Sequence, residues 1–329
     1  MDEWHSIENN PGVYTELLKN IGVKGVQVEE ILSFDALENQ NSSIYGIILL
    51  YKYINDISYT PNILQFWDKD LFFSRQIIAN ANATQTLLSI ILNNSDKIDI
   101  GETLKELKIN TIDMDPLIKG LTLSNCEKIK TENNKFNSVE KGNDNNNNDI
   151  YHFISFIHFK NAIYEIDGFQ EGPILLEKNI EFNEWPKKIK PHLNERINLF
   201  INNDIKFNLF IIVPDKIDKF IKDKDALLYK KNYIEQRLKE NSIIKNEKEL
   251  EEYNKLNKEQ LQEKLKIIET EIKECENGIN IEKMKMNKYR EDNEKNQHDF
   301  TPLIFELLNI MGQNGIIQNA YKEILTENK

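Results

Sequence analysis

A chain of 329 residues can bury a core in one large domain or two, and 40% hydrophobic with 29% charged residues is a composition for folding in water. A net charge of −12 excludes nucleic acid or an anionic membrane as the main partner, since both are met by basic patches. No apolar run approaches the roughly 18 residues of a membrane span. Cys126 and Cys275 are too few for a disulfide framework or a zinc site, and the acidic, polar start MDEWHSIENN is no secretory signal. A reducing compartment, cytoplasm or nucleus, is therefore expected, with no metal and no cofactor.

Pro11 and Gly12 open a first helix, Val13 to Ile21, whose apolar positions Val13, Leu17 and Ile21 recur every four residues. Ile44–Tyr53 is a nearly continuous apolar, β-rich run and reads as a central strand. In FFSRQIIANANATQTLLSIILN (Phe72–Asn93), a punctuated polar run from Gln76 to Asn82 feeds a helix over Ala83–Leu92. Asn82 stands at the junction, where a short polar side chain is expected to cap the helix. Gly101–Lys108 and Asp115–Leu123 read as two further helices. Glu127–Asp149 loses apolar periodicity and ends in NDNNNND, so a disordered loop is expected over about 127–149.

Tyr151–Phe159 (YHFISFIHF) and Ala162–Asp167 read as a hairpin turning at Lys160–Asn161. Asp167 then lies opposite Ile154, and alternation makes it the diagonal neighbour of His152, about 7–8 Å away at the backbone. That is within reach of an imidazole and a carboxylate. Two readings stay open on spacing alone: half of a nucleophile–base–orienter triad, or a half-buried histidine beside a turn aspartate. His158 shares the face but lies next to the turn with no carboxylate placed to orient it, so it reads as structural. His5, His192 and His298 sit in polar surroundings and read as surface residues.

Lys206–Val213 (KFNLFIIV) is a buried strand closed by Pro214 and Asp215. Beyond Ile217, Lys, Glu and Asn dominate. Leu261, Leu265, Ile268, Ile272, Cys275 and Ile279 alternate four and three residues apart as a heptad-like seam, weakened afterwards from Gly278. Thr301–Pro302 starts a last helix with Leu303, Ile304, Leu307, Leu308 and Met311 on one face. The expected division is an α/β domain over 1–215 and an all-helical tail over 216–329.

QIIANANATQ resembles the nucleophile segment of the ubiquitin C-terminal hydrolases, in which a Gln precedes the catalytic Cys by six residues and Asn–Ala or Asn–Ser directly precedes it. Gln76, Asn80, Ala81 and Thr84 fall on that pattern, and Asn82 falls on the Cys. WHSIENNPGVYTELLKNIGVKGVQVEEI, GETLKELK, KGLTLSN and HFISF…YEIDGFQEGPI resemble further segments of the family, and FTPLIFELL resembles the tail of its proteasome-associated branch. The resemblance implies a papain-like cysteine-protease fold, with a central antiparallel sheet flanked by helices. It implies His152 as general base, Asp167 as the residue that orients it, Gln76 as an oxyanion-hole donor and ubiquitin conjugates as ligand. It also implies a loop over the active-site mouth at about 127–149. The tail would dock the ubiquitin-receptor subunit of the proteasome regulatory particle, or a related chromatin-remodeller subunit.

Asn82 divides the functional readings. A carboxamide nitrogen has its lone pair delocalised and is no nucleophile, and neither Cys126 nor Cys275 lies where it could substitute. The first reading is a ubiquitin-binding homologue, inactive or strongly impaired. The second is a working thiol deubiquitinase whose cysteine has been replaced by Asn82. The third is a helical adaptor that does not bind ubiquitin.

Overall fold

The computed structural model describes residues 3–32, 37, 43–52, 62–78, 80–136, 151–201, 205–240, 253, 255–298 and 300–318. Helix α1 (Pro11–Ile21) starts as its sequence demands, with Asn10 accepting from the Gly12 amide at 2.7 Å and proline in the first turn. Strands β1 (Val26–Ile31) and β2 (Gly46–Lys52) precede helices α2 (Asn82–Asn93), α3 (Gly101–Thr111), α4 (Pro116–Ser124) and α5 (Glu127–Asn134). Strands β3 (Tyr151–Phe159), β4 (Ala162–Ile166) and β5 (Ile174–Lys178) follow, then helices α6 (Trp185–Lys188) and α7 (Lys190–Ile201) and strand β6 (Phe207–Pro214).

The strands form one antiparallel sheet in the order β1-β6-β2-β3-β4-β5. β2 is central and covered on both faces, which is why its sequence is continuously apolar rather than alternating. Ile48, Leu50, Phe153, Ile157, Phe210 and Ile212 face α1 and α2. Ile47, Leu49, Ile154, Phe156, Leu209 and Ile211 face Trp185, Leu193, Ile197 and Phe200 of α6 and α7. The fold is thus a central antiparallel sheet flanked by helices, as expected. β1 and β5 were not read from the sequence, and Tyr53 lies outside the described residues.

Residues 127–136 correct the expectation of a disordered segment. They fold as α5 and its C-terminal turn, with Ile129, Asn133 and Phe136 buried against the N-terminal segment and α1. Asn133 bonds Thr84 and the His5 carbonyl, contacts that no local periodicity reveals. The rest of the expected loop, 137–149, lies outside the described residues.

From Lys216 the described chain is helical: α8 (Lys216–Glu240), α9 (Lys258–Gln297) and α10 (Thr301–Gln313). α8 and α9 pair antiparallel, with Lys224–Glu276 and Lys231–Glu269 bridged at 2.7 and 2.8 Å. The seam residues Leu261, Leu265, Ile268 and Ile272 face Tyr233 and Ile234 of α8, and the helix continues through Gly278 to Gln297. Its second half lies on α1. Glu29 of β1 takes Lys216 of α8 at 2.7 Å and Lys285 of α9 at 2.9 Å. Burial opposes ionisation of Glu29, but the two ammonium groups outweigh it and hold the carboxyl below its usual range. α10 buries none of its side chains among the described residues.

Candidate active site

The chain from Leu71 to Ile78, ahead of α2, forms no helix or strand, and its backbone is tied on both sides. The Arg75 amide donates to the Pro116 carbonyl at 3.0 Å and the Gln76 amide to that of Gly168 at 2.7 Å. α2 is buried along its length, and its polar side chains are paired. Gln85 reaches Ser74, Ser89 meets Ser155 at 2.9 Å across to β3, and Asn93 clasps the Phe72 backbone through both its amide atoms.

Asn82 is not the N-cap that the sequence suggests. Ala81 takes that place, its carbonyl accepting the first helical bond from the Gln85 amide at 2.8 Å, and Asn82 is the first helical residue. Its side chain makes no cap because it is engaged elsewhere. Oδ1 accepts from Nε2 of Gln76, and Nδ2 donates to the Tyr151 carbonyl at 3.4 Å, one residue before His152.

The hairpin has the expected register. Ser155 faces Ile166, which carries Asp167 opposite Ile154, and Lys160 and Asn161 both take the positive φ of a tight two-residue turn. His152 Nε2 donates to Asp167 Oδ1 at 3.0 Å, and both side chains are buried. Asp167 also accepts from the Phe169 amide at 2.9 Å and from Gln170 Nε2 at 3.1 Å. Burial pushes its pKa up, but the His152 hydrogen bond and charge, with the Phe169 and Gln170 donors, hold it below the usual carboxylate range. The imidazole is stacked on Phe169 at 4.5 Å and meets Tyr51 edge-on at 5.4 Å. With Nε2 committed to the carboxylate, the neutral ring carries its lone pair on Nδ1, where it can accept a proton.

Gln76, Asn82, His152 and Asp167 are thus brought to one place, with Gly168 as the joint between them. A Cβ on Gly168 would lie 2.9 Å from Gln76 Cβ and 3.1 Å from its nitrogen, so only glycine lets the aspartate turn close on the glutamine segment. Sequence reading singled out Asp167 but missed Gly168, Phe169 and Gln170. The QEG that follows could have suggested Gln170, but nothing marked Phe169.

His158 is structural, as read. Its Nε2 donates to the Ile180 carbonyl at 2.7 Å, and burial pushes its pKa down. His5 and His298 are exposed, and His192 lies 3.8 Å from Glu177 at the surface. Cys126 precedes α5, and Cys275 is on α9, where burial and then the acidic Asp223, Glu271 and Glu274 push the thiol up. Among the described residues, no group of three or more His, Cys, Asp or Glu is arranged to hold a metal ion. The arrangement can donate to a carbonyl oxygen and shuttle a proton. It contains no nucleophile at position 82.

The family described as "Ubiquitin carboxyl-terminal hydrolase, family 1" matches residues 4–198, and "Ubiquitin carboxyl-terminal hydrolases" matches 272–316. The chain is 32% identical over 340 residues to ubiquitin carboxyl-terminal hydrolase ubh-4 of Caenorhabditis elegans, covering 99% of this chain and 94% of that protein. It is 32% identical over 324 residues to isozyme L5 of Dictyostelium discoideum, covering 96% and 93%. Among solved structures, Trichinella spiralis UCH37 bound to ubiquitin vinyl methyl ester is similar with a TM-score of 0.61 and 25% identity, over 87% of this chain and 99% of that one.

Proposed function

The chain belongs to the family 1 ubiquitin carboxyl-terminal hydrolases, and from that premise we propose that it binds ubiquitin on the family scaffold while lacking the nucleophile for hydrolysis. In this reading it is a proteasome-associated homologue in ubiquitin-dependent protein catabolism, inactive or strongly impaired, working in cytoplasm and nucleus. One observation carries it: the carboxamide of Asn82, bonded to Gln76, stands where a thiol hydrolase needs sulfur.

The chemistry makes the loss specific. In a thiol hydrolase on this frame, Nδ1 of His152 takes the sulfhydryl proton as sulfur attacks the carbonyl carbon of ubiquitin's last residue. The oxyanion is met by the Gln76 amide and the backbone N–H of residue 82, each donor worth about 2.7–4 kcal/mol. The imidazolium then protonates the leaving amine, and water activated by the same ring hydrolyses the thioester. Asp167 holds the tautomer throughout. With Asn82 the first step has no nucleophilic electron pair to begin it, the amide nitrogen's being delocalised, while groups that bind ubiquitin elsewhere are untouched.

The exposed apolar side of α10, with Leu303, Ile304, Leu307, Leu308 and Met311, supports docking to an adaptor. That adaptor is the ubiquitin-receptor subunit of the proteasome regulatory particle, or a related chromatin-remodeller subunit. A second reading is favoured by the intact His152–Asp167 pair: a working thiol deubiquitinase whose cysteine has been replaced by Asn82. The natural gene at codon 82 separates the two.

The deciding experiment has two arms. Ubiquitin with a C-terminal electrophile should leave the chain unlabelled, and a stoichiometric adduct at any residue would sink the inactive reading. Unmodified ubiquitin at millimolar concentration should give NMR shifts or titration heats, and a flat result would favour the non-binding adaptor.

A further inference from the structure

Helix α2 enters without a side-chain cap at Ala81, so the turn that presents residue 82 must be held by something else. Two side chains on that turn reach out to a distant part of the chain. Asn80 Nδ2 donates to the Trp4 carbonyl at 3.0 Å, and Thr84 Oγ1 donates to Asn133 at 2.6 Å. Asn133 in turn donates to the His5 carbonyl at 2.8 Å, and the His5 amide donates to Asn134 at 3.0 Å. Trp4 and Ile7 are buried, and the Trp4 indole donates to the Ser124 carbonyl at 3.2 Å.

The other end of the same N-terminal segment is gripped by the tail. Asn296 of α9 donates to Glu8 at 3.0 Å, and Asn293 donates to Glu16. The Tyr289 ring lies flush on Gly12, where an added Cβ would come within 2.6 Å of it. A continuous path therefore runs from α9, directly at Glu8 and through the start of α1 at Gly12 and Glu16, by residues 3–10 to the turn that opens α2.

We propose that residues 3–10 are a positioning strap through which tail helix α9 fixes the 80–84 turn and so the place of residue 82. None of these residues touches a reacting atom. The strap acts on geometry, and a displacement of about 1 Å at a reacting group can cost on the order of 100-fold in rate.

Gly12→Ala is the test, because one methyl wedges Tyr289 away while alanine suits helix α1 better than glycine. In the full chain, hydrogen exchange should quicken about tenfold over 3–10 and 76–84 and stay unchanged in β2 and β6. Adding Tyr289→Ala, which vacates the contested space, should return 76–84 towards its original protection. If 3–10 quickens and 76–84 does not, or if the second change gives no relief, the strap is wrong. Should β2 and β6 also lose protection, Asn296→Ala decides, since it removes one exposed hydrogen bond. NMR shifts at 80–84 would support the strap, and silence there would overturn it.

A second readout rests on the functional reading above. In an Asn82→Cys background, Gly12→Ala should lower the saturating rate of electrophilic-ubiquitin labelling about tenfold with the half-saturating concentration unchanged. A shift in half-saturation alone would speak against positioning. If Asn82→Cys never labels, the hydrolase reading fails, while the exchange experiment still decides the strap.

Discussion

Two helices of similar length have opposite fates. α2, NATQTLLSIILN, is half polar and buried from Ala83 to Asn93, while α10, TPLIFELLNIMGQ, is mostly apolar and buries nothing among the described residues. The polar groups of α2 are tolerated inside because Ser74, Phe72, Ser155 and Asn133 each supply a partner. The apolar groups of α10 gain little because no element among the described residues buries them; Leu307 and Leu308 are each 50% exposed. Hydrophobicity along a sequence tells how much a helix could gain by burial, and the partner surface tells whether the gain is made. The first helix is completed by its own chain; the second, among the described residues, is left without a partner surface.

The largest effect should come from completing the first helix's chemistry. Asn82→Cys should turn no labelling by electrophilic ubiquitin into stoichiometric labelling, followed by mass spectrometry. Persistent inertness would mean that Gln76, His152 and Asp167 do not frame a working site. Next, Leu307→Asp with Leu308→Asp should abolish co-purification with proteasomes and leave ubiquitin binding intact. Each leucine is worth about 1.5–3 kcal/mol when fully buried in a partner. Loss of both functions together would break the distinction between the two helices.

Stability sharpens the same contrast. Leu88→Ala in α2 should cost about 2–5 kcal/mol in urea unfolding. Leu308→Ala in α10 should stay within about 0.5 kcal/mol, as exposed substitutions do. Equal losses would mean that α10 is part of the core. The smallest effect concerns pH. Because the pKa of Asp167 is lowered on folding, its contribution is present above the unfolded carboxylate value of about 3.9 and is lost as pH falls through the folded value. Asp167→Asn should therefore flatten the fall in melting temperature on acidification below about pH 5, and parallel curves would contradict this.

The His152–Asp167 pairing was legible because a two-residue turn fixes hairpin register, and register fixes which side chains meet. The start of α2 was misread by one residue because Ala81 carries no capping signature, while Asn82, which does, spends its side chain on Gln76 and Tyr151. β1 was hidden by Glu29 and Glu30. Glu29 is neutralised in the interior by Lys216 and Lys285, far along the chain. α5 reads as polar loop because its partners, the His5 backbone and Thr84, are remote. What could be read was what neighbours in sequence decide, and most of what could not was decided by groups between 49 and 256 residues away.

The α8–α9 hairpin is attached at both ends. Lys216 at its start and Lys285 near its finish hold the same carboxylate, and the Asp215 amide donates to the Gly25 carbonyl at 2.9 Å. A module on a single flexible linker offers its cargo at an effective concentration averaged over many orientations. Two anchors on one strand remove that swivel. The α8–α9 hairpin is then held at a set bearing to the sheet, and lengthening linkers elsewhere in an assembly would not change it.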